Sequence, residues 1–540
     1  MRGMNVETFF ENFELLTNAS NAVDKLREVV LQLAVRGKLV SQDSEDESAS
    51  LLLQKVQARK EFLIKEGKIK KIKESKLTID VDDIIFSLPN GWCWENLSKL
   101  VLQIKRGPSL KCNQEGLGIR YITSGNLLNG KLDLSADFKF LDGFDKIYSC
   151  RLYPGDVILN CVNSLEKLGK SAVFREEHGD AIVGFNNYAL ELPKDLIFPD
   201  YIQIFFQSFV FKKQLVPLTK EAINQASIAT REVNSFILPI PPFAEQKRIV
   251  EKCDRLLIVC DEIEKRQQQR QASLLKMNEG AIFQLLTAQT PDDFHHHWQR
   301  ICNNFDLLYS IPETIPKLRQ AILQLAMQGL FVTEKANNEQ NALSQPQKVS
   351  NFVKVLNGYA FKSEWFLVNG IKLLRNANIG HGFLRWDDTA RISPEQASEF
   401  QRFKLGEGDI VISLDRPIIN TGLKLAKVSK NDLPCLLLQR VGKFEFLTNE
   451  VDSDYFFWWL QSPIFINSID PGRSNGVPHI SSKQIEAIPF NPPPLAEQKR
   501  IVAKVDSLLS LCDALEAKLK AARDSSTTLM EVAARQILVA

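Results

Sequence analysis

The chain lacks the features that most readily announce a chemistry. Its nine cysteines stand as singles with no CxxC pair, which excludes a zinc ribbon and a disulfide framework and leaves reduced, mostly buried thiols. No apolar run is long enough to cross a bilayer and no secretory leader opens the sequence, so a cytoplasmic location is expected. The net charge is only +2, so any nucleic-acid surface must come from segregated charge and not from overall excess. There is no GxxxxGK[ST] phosphate loop, which argues against a motor. The three adjacent histidines at 295–297 have no Cys or acidic ligands at regular spacing near them, and they read as a solvated linker.

What the chain does have is repetition. Its 540 residues exceed one core, and a prior of about 150 residues per domain suggests several folded units. PPFAEQKRIV at 241–250 returns as PPLAEQKRIV at 493–502, 252 positions on. EKCDRLLIVCDEIEK (251–265) continues the match as AKVDSLLSLCDALEA (503–517). A second pair, NFELLTNASNAVDKLREVVLQLAVRGKLV (12–40) and NFDLLYSIPETIPKLRQAILQLAMQGLFV (304–332), lies 292 positions apart. The surplus of the first copy falls in 41–76, read as a helix over Ala49 to Glu66 with a Lys-rich end.

Between the paired helices lie two blocks rich in Gly, aromatics and short β-like runs such as YPGDVILN (153–160) and GEGDIVIS (406–413). The fold class is therefore α+β: two mixed domains in tandem pseudo-repeat with two long helices. The expected segments are an N-terminal helical region 1–87, a first mixed domain 88–241, a long helix 242–290, a linker and repeated helix 291–346, a second mixed domain 347–492 and a long helix 493–540.

In the long helices Ile249, Cys253, Leu256, Cys260 and Ile263 recur at alternating spacings of 4 and 3, as do Ile501, Val505, Leu508, Cys512, Leu515 and Leu519. That is a coiled-coil seam. A helix of about 45 residues spans roughly 65 Å, so two such rods packing antiparallel as a spacer is the simplest reading; an ordinary core helix in each domain is the alternative. Ile249, Leu256, Ile263, Ile501, Leu508 and Leu515 are the expected subunit-interface positions. Pro242 and Pro494 end the preceding extended segments, and Glu245 and Glu497 sit in the first turn against the positive end of the helix dipole.

In this order and duplicated, PPxAEQKRIV, LREVVLQLAVRGKLV and LPNGWCWENLSKL (88–100) resemble the specificity subunits of type I restriction-modification systems. LPNGWCW has no clear counterpart before the second domain, where QKVSNFVKVLNG (347–358) stands. The resemblance implies a non-catalytic, cytoplasmic DNA-binding subunit whose two target-recognition domains each read one half of a split, asymmetric double-stranded site. It implies helices that set the unread gap and dock two methyltransferase subunits, with restriction subunits joining the larger assembly. No cofactor is implied for this chain; S-adenosylmethionine, ATP and Mg are expected on the partners. A rod of roughly 65 Å spans about 20 base pairs, enough to hold two modules on separate patches of one duplex.

Two rival readings are a self-contained DNA methyltransferase or nuclease with atypical motifs, and a coiled-coil scaffold with no DNA role. Adenine methyltransferases hold the flipped base with a polar-Pro-Pro-aromatic loop. Here IPPF (240–243) lacks the polar residue and NPPP (491–494) the aromatic. No Gly-rich loop for S-adenosylmethionine follows a strand, and GEGD (406–409) reads as a turn.

Base readout favours Arg or Lys toward guanine and Asn or Gln toward adenine. In the first domain the candidates are Lys105, Arg106 and Lys111 around a Gly-Pro turn, Ser124 and Asn126 in TSGN, Asn186 and Asn187 in GFNNYAL, and Lys220, Asn224 and Gln225. In the second they are Arg375, Asn376 and Asn378 in RNAN, His381 and Arg385 in HGFLRW, Arg416, and Arg473, Ser474, Asn475, His479 and Lys483 in PGRSNGVPHISSK. Phe456, Phe457, Trp458 and Trp459 form an apolar run and are expected in the core.

Overall fold

The computed structural model describes residues 19, 21–72, 86–109, 112–116, 118–128, 130–133, 139–141, 148–223, 225–330, 347–419, 422–469 and 479–539. The chain divides into two compact units, residues 1–269 with 523–540, and residues 270–522. The helices used below are α1 (Ala22–Val35), α2 (Ala49–Lys65), α3 (Pro199–Gln207), α4 (Phe243–Leu286), α5 (Ile315–Met327), α6 (Ser453–Gln461) and α7 (Leu495–Val539). No helix among the described residues is long and apolar enough to cross a membrane.

The first unit is built on a four-stranded sheet in the order Gln103–Arg106, Asn187–Glu191, Val157–Asn160, Ser171–Val173, beside a three-stranded sheet Ala181–Val183, Ile119–Ile122, Lys139–Leu141. Its lead-in and exit are zipped together: Cys93–Asn96, from the GWCW run, pairs antiparallel with Ile237–Ile240, just before Pro241 and Pro242. In the second unit a five-stranded sheet carries Val353–Asn357, Val441–Phe446, Ile410–Ser413, Leu425–Lys427 and His381–Gly382 in that order, and a three-stranded sheet carries Arg391–Ile392, Ile371–Leu374 and Cys435–Leu437. Here the lead-in is 347–349, held by Val349 N–H to Ile488 O (3.0 Å) and Phe490 N–H to Gln347 O (2.9 Å).

The repeated sequences build repeated joints. α1 and α5 both end in a glycine with positive φ, Gly37 (+68°) and Gly329 (+75°). In each, the next residue's N–H reaches back five positions, Lys38 to Leu33 O (2.9 Å) and Leu330 to Leu325 O (3.1 Å), the capping geometry that a left-handed glycine permits. Arg27 of α1 binds Asp261 (2.6 Å) and Glu264 (2.7 Å) of α4; Arg319 of α5 binds Asp513 (2.6 Å) and Glu516 (2.9 Å) of α7. Although the two sequence matches have different offsets, they converge on one contact made twice.

The sequence shared by the starts of α4 and α7 welds each mixed domain to its helix. Gln246 is fully buried; its Oε1 accepts from Phe198 N–H (2.8 Å) and its Nε2 donates to Pro241 O (3.0 Å). Gln498, also fully buried, accepts from Asp452 N–H (2.7 Å) and donates to Glu450 O and Pro493 O (both 2.7 Å). Phe198 and Asp452 immediately precede α3 and α6, so each glutamine ties the start of one helix to the start of another. Glu245 does more than oppose the dipole: it is buried and accepts from Trp92 Nε1 (2.9 Å) and Gln42 Nε2 (3.1 Å). Burial pushes its carboxyl above the usual range although both hydrogen bonds favour the charged form. Glu497 has no corresponding tryptophan, in keeping with the missing GWCW, and among the described residues it receives no such hydrogen bond.

The apolar stripe of the long helices is used within the chain. Ile249 and Cys253 are fully buried in the core of the first mixed domain, with Leu256 packed against it; Ile501 and Val505 do the same in the second. Each large side chain so buried contributes about 1.5–3 kcal/mol. Cys512, Leu508 and Leu515 pack with Ile315, Ile322 and Leu325 of α5, and Ile263 is half-buried. This corrects the interface expectation at Ile249 and Ile501: residues enclosed by their own domain offer nothing to another subunit. The first turns of both helices act as core helices of their mixed domains.

The histidine run is also corrected. Pro291–Asn303 is a helix capped by Thr290, not a linker, and among the described residues no group of His, Cys, Asp or Glu is arranged to hold a metal. The helix read over Ala49 to Glu66 is α2, ending at Lys65. Phe456 and Trp459 are buried and Phe457 and Trp458 pack against the same core, with Trp458 Nε1 donating to Asp506 on α7 (2.9 Å). None of the nine cysteines forms a disulfide.

Candidate nucleic-acid interface

Strand register aligns the two mixed domains residue by residue. Asn187 faces Asn160 and Tyr188 faces Arg106 in the first; Val441 faces Ser413 and Gly442 faces Asn357 in the second. Val183 lies beside Ile122 as Leu437 lies beside Leu374. Each domain then makes a tight turn at the matching place, Gly184 to Asn187 and Leu438 to Val441, closed by the last N–H on the first carbonyl (3.0 and 3.3 Å). The third residue's carbonyl caps the neighbouring strand: Cys161 N–H reaches Asn186 O (2.8 Å) and Leu414 N–H reaches Arg440 O (2.9 Å).

In the first domain this turn borders an open cleft of about 600 Å³ lined by Ser109, Cys112, Tyr121, Thr123, Ser124, Lys139, Gly184, Phe185 and Asn186. Tyr121 braces it, its hydroxyl donating to Pro108 O (2.8 Å) and accepting from Phe185 N–H (2.6 Å); burial raises the phenol's pKa, so it stays a donor. Arg106 is exposed at the rim, its Nε donating to Phe185 O (3.0 Å) and its guanidinium 4.3 Å above the Phe185 ring. Lys220 and Gln225 are exposed on a hairpin, Lys220–Ala222 with Gln225–Ser227, that pairs with Val162–Asn163.

Four sequence candidates are corrected by burial. Lys105 is 7% exposed, its Nζ 2.8 Å from Glu191 and 3.5 Å from Asp156. Burial lifts the Asp156 carboxyl above its ordinary pKa despite Lys105; Glu191 is also pushed up by burial, but hydrogen bonds from Gln103 and Lys105 outweigh this and leave it lowered. Asn187 is fully buried, bonding Ile122 O (2.9 Å) and Asn160 (3.0 Å). Asn126 and Asn378 are 1% and 2% exposed, and each accepts a backbone N–H three residues earlier, from Thr123 (2.9 Å) and Arg375 (3.0 Å). An asparagine in that position closes a turn and has no edge to offer a base.

The second domain gathers its candidates around one carboxylate. Asp415 Oδ2 accepts from Asn376 Nδ2 (3.2 Å) and Arg440 Nη1 (3.1 Å), and Oδ1 lies 2.9 Å from His479 Nδ1. Arg416, next in the chain, is exposed with φ +47°. Arg375 is half-buried and held by Asp388 (2.9 Å). Arg385 and His381 are exposed, with Arg385 Nε on Ala377 O (3.0 Å) and His381 Nδ1 near Leu423 O (2.8 Å); Lys483 is exposed on Ser482–Glu486. Lys111, Asn224, Arg473, Ser474 and Asn475 lie outside the described residues. Sequence reasoning missed Arg440; aligning GFNN with LQRV by strand register, which places Arg440 opposite Asn186, would have found it.

Comparison with known proteins gives concordant results. The family model for the type I restriction modification DNA specificity domain matches residues 99–272 and 344–522. The type I restriction enzyme EcoAI specificity subunit of Escherichia coli is 36% identical over 551 residues, covering 94% of this chain and 92% of its own length. The EcoEI specificity subunit of the same species is 23% identical, covering 94% and 93%. A chain from a solved structure concerned with complex assembly and conformational transition of the type I R-M system superimposes with a TM-score of 0.53 at 15% identity. That match covers 84% of this chain and 99% of the other, which shows a shared fold.

Proposed function

The chain belongs to the family of type I restriction-modification DNA specificity subunits, and from that premise we propose that it is the non-catalytic reader of a split DNA site. The resemblance carried by the duplicated motifs is borne out, and with it DNA sequence recognition by two domains; the methyltransferase, nuclease and scaffold readings are not favoured.

Each domain takes one half-site. In the first, the surface offered to DNA is the cleft with Arg106, Ser124 and Asn186, flanked by Lys220 and Gln225; in the second, it is the group around Asp415 with Asn376, Arg416 and His479, joined by His381, Arg385 and Lys483. One observation carries the proposal: a turn closed by the same hydrogen bond and cap is built at matching places by matching strands but finished with different polar side chains. A scaffold would have no use for that divergence, whereas an asymmetric site requires it.

The long helices act as the spacer. Their duplicated apolar stripes support reading them as an antiparallel pair; each helix is about 65 Å long. Two methyltransferase subunits dock on the helical region, restriction subunits complete the assembly, and S-adenosylmethionine, ATP and Mg belong to those partners. The complex works in the cytoplasm, where its DNA is.

The test is methylome sequencing of cells expressing this chain with its methyltransferase, against cells expressing the methyltransferase alone. A split motif that appears only with this chain, and of which one half alone changes when residues 347–492 are exchanged for those of a relative, supports the proposal. An unchanged methylome from an assembled, active complex refutes it.

A further inference from the structure

Among the described residues only two non-glycine residues have positive φ, Arg416 (+47°) and Arg440 (+65°). Both are arginines in the second domain, and both are tied to Asp415, one by adjacency and one by its side chain. Arg440 occupies the third position of its turn, where positive φ ordinarily selects Gly or Asn. A long, branched-headed cation held in that conformation is a cost to the fold, and such strain persists where the side chain has a task. The first domain makes the corresponding turn with Asn186 and without positive φ.

Arg440 has the geometry of a reader. Its side chain is 63% exposed, and a single nitrogen, Nη1, is engaged by Asp415, itself 15% exposed and fixed by Asn376 and His479. One nitrogen held by that carboxylate restrains the guanidinium and leaves Nε and Nη2 without a partner among the described residues. That remaining edge presents two parallel N–H groups, the fork that matches O6 and N7 of guanine in the major groove. The equivalent Asn186 carries the group that matches adenine.

Building on the DNA-recognition reading, we infer that Arg440 is a specificity-determining residue for a guanine in the second half-site, with Asp415 as its positioning residue and Asn186 as its counterpart in the first. The two half-sites thus differ at one equivalent position because one turn carries a guanidinium and the other an amide.

The experiment uses the full chain with its methyltransferase subunits and compares wild type with Arg440→Gly, Arg440→Lys and Asp415→Asn, by methylome sequencing and by DNA binding over a range of salt. Arg440→Gly removes the reader while relieving the left-handed backbone, so its melting temperature should not fall. A guanine in the second half-site should become degenerate while the first half-site stays intact, with affinity for the wild-type site reduced roughly ten- to hundred-fold. The salt slope should change little, because no phosphate contact is lost. Arg440→Lys, which keeps the charge but not the fork, and Asp415→Asn, which frees the fork, should relax that same base.

A motif unchanged in Arg440→Gly overturns the inference and leaves the recognition reading standing. So does a uniform loss of affinity with a shallower salt slope, which would make Arg440 a phosphate contact. A wild-type complex that yields no split motif overturns the recognition reading itself, and this inference with it.

Discussion

Replacing Gln246 or Gln498 by alanine tests whether the duplicated PPxAEQKRIV sequence exists to weld domain to helix. Gln246→Ala leaves the buried Phe198 N–H without its acceptor, a penalty of about 1–3 kcal/mol. The void left by a fully buried side chain adds to it, for a total of about 2–4 kcal/mol. Gln498→Ala removes three hydrogen bonds of 2.7 Å where Gln246→Ala removes two, so its loss should be larger by about 1 kcal/mol. For units of this size each kcal/mol corresponds to about 2–4 °C, which places both variants about 5–15 °C below wild type. Thermal melts give the size. Hydrogen exchange gives the place: protection should fall at the start of α3 in one variant and of α6 in the other. Gln→Met at each position keeps the volume and loses the hydrogen bonds, and should recover only the packing part. Melting within about 2 °C of wild type for both alanine variants, or full recovery of wild-type stability in the methionine variants, would refute the reasoning.

Glu245→Gln should flatten the pH dependence of stability. The folded carboxyl lies above its ordinary 4.5, so its contribution is fully present below the unfolded pKa and lost as pH rises through the folded one; an unchanged slope in acid-to-neutral melts would contradict this. Arg319→Glu should cost about 1–2 kcal/mol, discounted for partial exposure, and Glu516→Arg in the same chain should restore part of it in denaturant titrations. Lys105→Met strands Asp156 and Glu191 without their cation and should destabilise the first domain by about 3–5 kcal/mol, less in acid, as read by melts across pH. Arg106→Ala, by contrast, should leave stability within about 1 kcal/mol and lower DNA affinity. Asn186→Ala should relax one base of the first half-site in methylome sequencing and none of the second.

Much of the architecture was legible because it is written in local pattern. The long helices follow from the apolar stripes that begin soon after Pro242 and Pro494, and α2 from the charged run over Ala49 to Glu66. What escaped was whatever depends on partners distant in sequence and made of backbone. Nothing in AEQKRIV says that Gln246 will receive the N–H of Phe198, 48 residues upstream. The stripe likewise cannot say that a recognition domain, and not another helix, covers Ile249. Lys105 looked like a DNA contact because a lysine beside an arginine and a Gly-Pro turn carries no mark of the two carboxylates that claim it.

Asn126 and Asn378 show how the two kinds of residue can be told apart. Asparagine is both an adenine reader and a turn closer, so residue type alone does not decide. These two stand at equivalent places in domains whose half-sites differ, and a residue kept the same in both halves cannot supply the difference. The same logic assigns Gln246 with Gln498, Arg27 with Arg319 and Ser208 with Ser462 to the frame, and each pair makes matching contacts. Positions where register is kept but chemistry diverges are the ones free to specify a sequence: Ser124 against Asn376, and Asn186 against Arg440. Within a duplicated reader, structure is what the halves share and specificity is what they do not, and on that criterion the left-handed Arg440 is the strongest mark of specificity in the second domain.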